Sequence, residues 1–490
     1  MKTKLLLVLS VLFLSMYTYG VTTYTVTNTN ESGEGSLAWA LESVTSADDV
    51  VAFNVNATIF TLSTAINESM TIDGLNEFNS QKIILKKSTG INFVSLSGKV
   101  LTLKNLILDG EGLPGAIGIT ADNTSTIHIE NCVLQNINSS GAANNGGAAR
   151  IQGVATIKNS VFENNTQGAG TYGGGALCIY NTANVTIENS SFIGNIGQRG
   201  GAIMANGTAA FTLNVSNTTF ANNEAVGSTN ARGGAVYLQC PTATEVSSTF
   251  INCTFTGNSA LNNGGGICAF ASAGKTININ LINTILTNNM SGGNKYSDID
   301  VWNLNERVYF PNATHCIYGT LLGTATGISW TNSINPANIA EATIFSETEE
   351  WVTGYERPVV SEISSQKAIR ISQNSIAKNA GTPTLEGFTI PTVDQLGSSR
   401  PSIPSIGAVE STISTIAPDV DNNEITLFAK NNVITVSGLS GVNTMLVYGI
   451  TGNLLHSSLV KNNETITLDH VTDNLVIVKI QNKNFKVFLK

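Results

Sequence analysis

Between residues 127 and 217, apolar and polar side chains alternate in short runs that stop at an asparagine and restart with the opposite parity. Ile127 and Ile129 precede Asn131, Ala155 and Ile157 precede Asn159, Val185 and Ile187 precede Asn189, and Leu213 and Val215 precede Asn217. A period of two marks a strand with one buried face. Three residues after each Asn stands a Phe or Leu, which would point outward if the alternation ran on unbroken. The parity must therefore slip at the Asn, a residue that tolerates the left-handed backbone such a corner needs. The pattern predicts strand, Asn corner, strand, with both apolar sets inside and the asparagines stacked so that they bond each other's amides.

The same frame recurs six times, usually closed by a second Asn: Asn131/Leu134, Asn159/Phe162/Asn165, Asn189/Phe192/Asn195, Asn217/Phe220/Asn223, Asn252/Phe255/Asn258 and Asn283/Leu286/Asn289, after a degenerate Asn105/Leu108. Its Phe or Leu positions lie 28 to 35 residues apart, the length of one solenoid turn. Between one frame and the next strand falls a glycine run: Gly146-Gly147, Gly173-Gly174-Gly175, Gly200-Gly201, Gly233-Gly234 and Gly264-Gly265-Gly266. No Lys-Ser or Lys-Thr follows any of them, so they are corners where backbones stack closely and not phosphate loops. Strands stacked at ~4.8 Å predict a right-handed, single-stranded parallel β-helix. A propeller would need four strands per repeat, and a leucine-rich repeat more Leu and helix.

The pairing of Gly-Gly-Ala/Ile with Phe-x-x-Asn over residues 131–289 resembles the repeats of chlamydial polymorphic outer-membrane proteins and related bacterial surface β-helices, which implies a pectin-lyase-like fold. Val26 to Leu37, Ala40-Leu41 and Val51-Ala52-Phe53 look like the opening of β-helix proteins with a choice-of-anchor Q domain, departing from it at Trp39. Ser375-Ile376-Ala377, Ala380 to Pro383, Asp394, Gly397, Arg400 and Ile406 to Glu410 resemble that family's closing motif. The β-helix is thus expected over 21–410, its opening segment capping the first turn.

Residues 411–424 read as a linker, with Pro418 and Asp419/Asp421. From 425 to 490 short alternating strands (Ile425–Phe428, Val433–Val436, Met445–Tyr448, Thr465–Leu468, Leu475–Ile480) predict a small β-sandwich. Leu446 to Leu454 and the ending Phe485 to Lys490 are similar to the sorting domain of the Bacteroidetes type IX secretion system, with departures at Gly449 and Asp473-Asn474. That resemblance implies the type IX machinery as a partner.

Charge alters this picture in one respect. Lys plus Arg number 25 against 34 Asp plus Glu, a net charge of −9, which argues against a nucleic-acid partner. At the amino end, Lys2 and Lys4 precede an apolar run from Leu5 to Leu14, with small Thr18 and Gly20 at cleavage-like positions, so residues 1–20 read as a secretory signal peptide. No stretch is long and apolar enough to span a bilayer.

Candidate chemistry is thin. Residues 131–289 contain no Asp, and Glu163, Glu188, Glu224 and Glu245 fall at different repeat positions. Asp298 and Asp300, with Arg307 nearby, make the best acidic pair, yet the stretch Gly292 to Asp300 resembles the Ser-Asp-Ile turn that commonly closes such repeats, where Asp caps a corner. Asp48/Asp49 belongs to the opening motif in the same way. His128 takes an outward strand position, and His456 and His470 fall in the terminal module. Cys178 and Cys268 share one column three turns apart, and Cys132 and Cys253 another, both beyond the ~7 Å that a disulfide allows. No catalytic, cofactor-binding or metal-ligating residue is assigned, and no cofactor is expected. The expectation is a secreted, cell-surface, adhesin-like β-helix of a Gram-negative bacterium, presenting a polar face to polysaccharide or glycoprotein. A polysaccharide lyase or glycoside hydrolase, and an architectural stalk, are the rival readings.

Overall fold

The structure, a computed structural model, describes residues 21–140, 146–168, 173–227, 231–292, 295–301, 307–323, 328–336, 344–352, 355–363 and 366–411, and in the terminal module 426–430, 432–437, 442–449, 453–462, 464–468, 471, 475–480 and 483–489. The expected signal segment 1–20, residues 412–424 of the linker, His470 and Asp473-Asn474 lie outside the described residues. The chain divides into two compact units between Thr412 and Ile413.

The first unit is a right-handed parallel β-helix. Its three long sheets have eleven, ten and nine strands, each interior strand paired in parallel to strands of the turns before and after it. The first sheet runs from Thr23–Val26 to Val308–Thr314, the second from Ile59–Leu62 to Ile317–Tyr318, and the third from Val94–Leu96 to Leu321–Gly323. A fourth, of two-residue strands beginning at Ile196–Gly197, was not foreshadowed by any pattern, because two residues are too few for periodicity to register.

Every repeat asparagine at the first corner has positive φ: Asn105, Asn131, Asn159, Asn189, Asn217, Asn252 and Asn283 fall between 47° and 54°, and His315 continues the column at 49°. This is the parity slip. Just beyond it, Leu134, Phe162, Phe192, Phe220, Phe255 and Leu286 pair in one register column, all fully buried. Their rings stack at 4.9, 5.0 and 4.5 Å with interplanar angles of 6° to 11°. Close turn-to-turn approach explains the glycines: a Cβ on Gly147 would sit 1.6 Å from the Gly175 carbonyl oxygen, and one on Gly201 would sit 2.1 Å from that of Gly234.

At the amino end a short helix, Leu37–Ser43, begins at Ser36, whose hydroxyl accepts from the Trp39 amide at 3.1 Å. Leu37 and Ala40 join the core, and Trp39 meets Tyr24 of the edge strand edge-on at 5.9 Å. The second unit consists of a three-stranded and a four-stranded antiparallel sheet sharing one core, which includes Ile434, Val436, Met445, Val447, Val476 and Val478.

Candidate functional site

Two asparagine ladders run along the β-helix. The inner one is fully buried: Asn165, Asn195, Asn223 and Asn258 each donate Nδ2 to the next amide oxygen at 2.8 to 2.9 Å, and Asn289 ends the series by donating to Asp298 Oδ1 at 2.7 Å. Asp298 also accepts from the Asn289 backbone at 3.1 Å and, through Oδ2, from the Thr320 backbone at 2.7 Å. Burial outweighs these three donors and pushes its carboxyl up to about 7. Asp300 bonds a different group, Asn263 Nδ2 at 2.8 Å, and burial raises it too. Arg307 is exposed. The pair therefore serves two structural networks, with Asp298 at the corner where the sequence sets it.

Asp49 has a comparable duty near the amino end. Its carboxylate accepts from the Thr45, Ser46 and Thr22 amides, and these bonds, Thr45's first, hold it below the usual carboxylate range. The six cysteines are unpaired and buried. Cys178 and Cys268 share a register column with Met204 and Tyr237 between them. Burial pushes the Cys132, Cys253 and Cys316 thiols up to about 12, far from a reactive thiolate.

The outer ladder follows the first corner. Asn105 donates to Asp73 at 2.8 Å and Asn131 to Asn105 at 2.6 Å; further along, Asn217 donates to Asn189, Asn252 to Asn217 and Asn283 to Asn252 at 3.0 to 3.2 Å. Among the described residues no amide-to-amide bond joins Asn131 to Asn159 or Asn159 to Asn189. At this break lies a groove of about 520 Å³. One wall is the corner column from Asn105 to Asn189, and Asp73, Lys104 and Glu130 of the first sheet flank it. The opposite wall is the closing segment, through Gln366, Gln395, Leu396 and Gly397.

The closing segment is clamped over the second sheet by buried polar contacts. Gln395 accepts from Thr219 Oγ1 at 2.5 Å and donates to Ser191 Oγ at 2.7 Å, Ser191 donates to the Lys367 carbonyl, and Lys367 pairs with Glu163. Arg400 and Glu410 form an ion pair at 2.7 Å, their side chains only 2% and 4% exposed. The guanidinium also donates to Asn217 Oδ1 and to the Gly407 and Ala408 carbonyls, each at 3.0 Å. Asp394 accepts from the Leu396, Ser398 and Glu410 amides. The charged positions of the closing motif are thus a staple, and sequence reasoning did not foresee the groove that this staple creates.

Along the first sheet's outer face, Thr102, His128, Thr156, Thr186, Asn214 and Thr249 stand in one register column that continues through Asn280 to Asn312. Beside it Asp73, Lys104, Glu130, Lys158 and Glu188 alternate in sign, with Lys104–Glu130 at 3.6 Å and Lys158–Glu188 at 2.9 Å. The face is polar and locally neutralised. Among the described residues no group of three or more His, Cys, Asp or Glu is placed to hold a metal ion, and no helix is long and apolar enough to cross a membrane.

Fold, corner geometry and stacked columns define a right-handed parallel β-helix protein. In agreement, residues 89–302 match the family model described as the right-handed beta helix region. No curated protein matches the chain.

Proposed function

We propose that this is a secreted, surface-exposed β-helix protein with an adhesin-like role, binding glycans of polysaccharides or glycoproteins along its solenoid. The observation that carries the reading is the in-register Thr/His/Asn column on the first sheet: a rigid row of hydroxyls and amides, one per turn at ~4.8 Å, offering many weak contacts to a polymer laid along the axis. The likenesses to polymorphic outer-membrane repeats, to the choice-of-anchor Q opening and closing motifs, and to a type IX sorting domain support a route from a Sec-type signal at residues 1–20 to the surface of a Gram-negative cell, with the type IX machinery as transport partner.

Incubating the full chain with a glycan array, and assaying the same glycans for released reducing or unsaturated sugars, tests the reading. Retention without cleavage is expected. Calcium-dependent cleavage would replace it with a lyase, and the absence of both retention and cleavage would leave an architectural stalk.

A further inference from the structure

The groove at the break in the outer ladder carries a more specific inference, which rests on the glycan-binding reading above. Gln366 is 8% exposed and lines the groove, and its Oε1 is buried with no hydrogen-bond partner. Buried side-chain amides are almost always satisfied, so an unsatisfied amide on a side chain that lines an open groove marks a place where a hydrogen-bonding group from outside is received. Across the groove, exposed Asn159 sits where the ladder is interrupted, its amide engaged by neither neighbouring corner asparagine. The unsatisfied groups on the two walls therefore come from residues about 200 apart in sequence, brought together by the closing segment.

We propose that this groove is a subsite for a neutral, hydroxyl-rich saccharide, one hydroxyl of which bonds the Gln366 side-chain amide while the corner amides, Asn159 foremost, bond the hydroxyls next to it. Charge selects against acidic sugars: Asp73 and Glu130 flank the groove, and the cations at its wall are already engaged, Lys104 facing Glu130 at 3.6 Å and Lys82 Nζ bonding the Asn131 carbonyl and Oδ1 at 2.6 and 2.9 Å. A uronate or sulfate would meet two carboxylates with no free cation among the lining residues. Size agrees, since the volume of about 520 Å³ falls within the roughly 300–1,000 Å³ of ligand clefts. The lining holds no aromatic ring and its largest apolar side chain is Leu396, so recognition rests on hydrogen bonds and each occupied subsite binds weakly. Because the corner wall repeats once per turn, a linear chain lying along the axis meets successive amides at ~4.8 Å.

Affinity electrophoresis of the full chain, through gels containing glucomannan, xyloglucan or polygalacturonate, tests this. Two variants accompany the parent: Gln366→Met, which removes the amide at similar volume, and Asn159→Gly, which removes the amide while keeping a residue suited to positive φ. Retardation by a neutral polysaccharide is expected, with an apparent affinity about tenfold weaker in each variant, the effect of one lost hydrogen bond. Should Gln366→Met lower the melting temperature, Asn159→Gly, on an exposed corner, still decides the matter. Neutral-glycan retardation unchanged in Asn159→Gly, or retardation by polygalacturonate alone, overturns the groove and leaves binding on the open face standing. No retardation in any gel overturns both.

Discussion

At the scale of single residues, asparagine does two separate jobs in this chain, and the sequence reveals them unequally. Asn131, Asn159, Asn189 and Asn217 are legible as corners because the apolar parity reverses at each, and all of them have positive φ. Asn165, Asn195, Asn223 and Asn258 are legible as a repeated position, yet nothing in one dimension says that they form a fully buried amide ladder. The ladder's end at Asp298 is a consequence of the same geometry. The carboxyl there receives three N–H groups, and its ionised form, which the folded state holds above about pH 7, is acceptor-only. Asp298→Asn would turn an amide N–H toward one of those donors, so thermal or denaturant melts are expected to show a loss of about 1–3 kcal/mol. The pH dependence has a definite sign. Burial raises the carboxyl from 3.8 to about 7, so the folded state holds the proton more tightly than the unfolded chain. The group's stabilising contribution is complete below pH 3.8 and is lost as the pH rises through about 7. The parent should melt progressively lower across that window and the variant should lack this part of the slope; equal slopes would mean that Asp298 does not carry it.

Among the elements, the strands of the helix were readable because each is half-buried and periodic, whereas the closing segment was readable only as a motif. Its partners lie 176 to 204 residues upstream in Ser191, Asn217 and Thr219, a separation that no local pattern encodes. The groove shared its fate, since one wall belongs to each partner. What the motif does physically is concentrated at Arg400, which at once pairs with Glu410, bonds Asn217 and caps two carbonyls. Removing one member of a buried ion pair leaves the other charge uncompensated, at a cost of about 3–5 kcal/mol. Arg400→Ala is therefore expected to loosen residues 366–411 from the second sheet, seen as faster cleavage there in limited proteolysis and a lower melting temperature. Arg400→Met combined with Glu410→Gln should recover part of the loss, because no unpaired charge remains. If the single variant were cut no faster than the parent, the staple would not be what holds this segment down.

For the molecule as a whole, each of the two units carries its own hydrophobic core: one drawn from Val26 to Cys316 along the solenoid, the other from Ile434 to Leu489. Units with separate cores can fold separately. A chain ending at Thr412, the last residue of the first unit, should thus keep the cooperative melt of the β-helix. The remaining question is what Ile413–Lys490 contributes. A passive cap would be needed for the solenoid's stability or solubility and would leave export unchanged, whereas an address would be dispensable for folding and required for transport. The likeness of Leu446 to Leu454 and Phe485 to Lys490 to a sorting domain favours the address. In the native host, the truncated chain is then expected to accumulate, folded, in the periplasm, while the full chain reaches the cell surface and loses the Ile413–Lys490 unit on the way. Cell fractionation with an antibody against the β-helix, together with the mass of the surface form, reads both outcomes. A truncated chain found at the surface would remove the sorting role and leave the second unit as a cap, and a truncated chain that fails to fold would show that the solenoid depends on it.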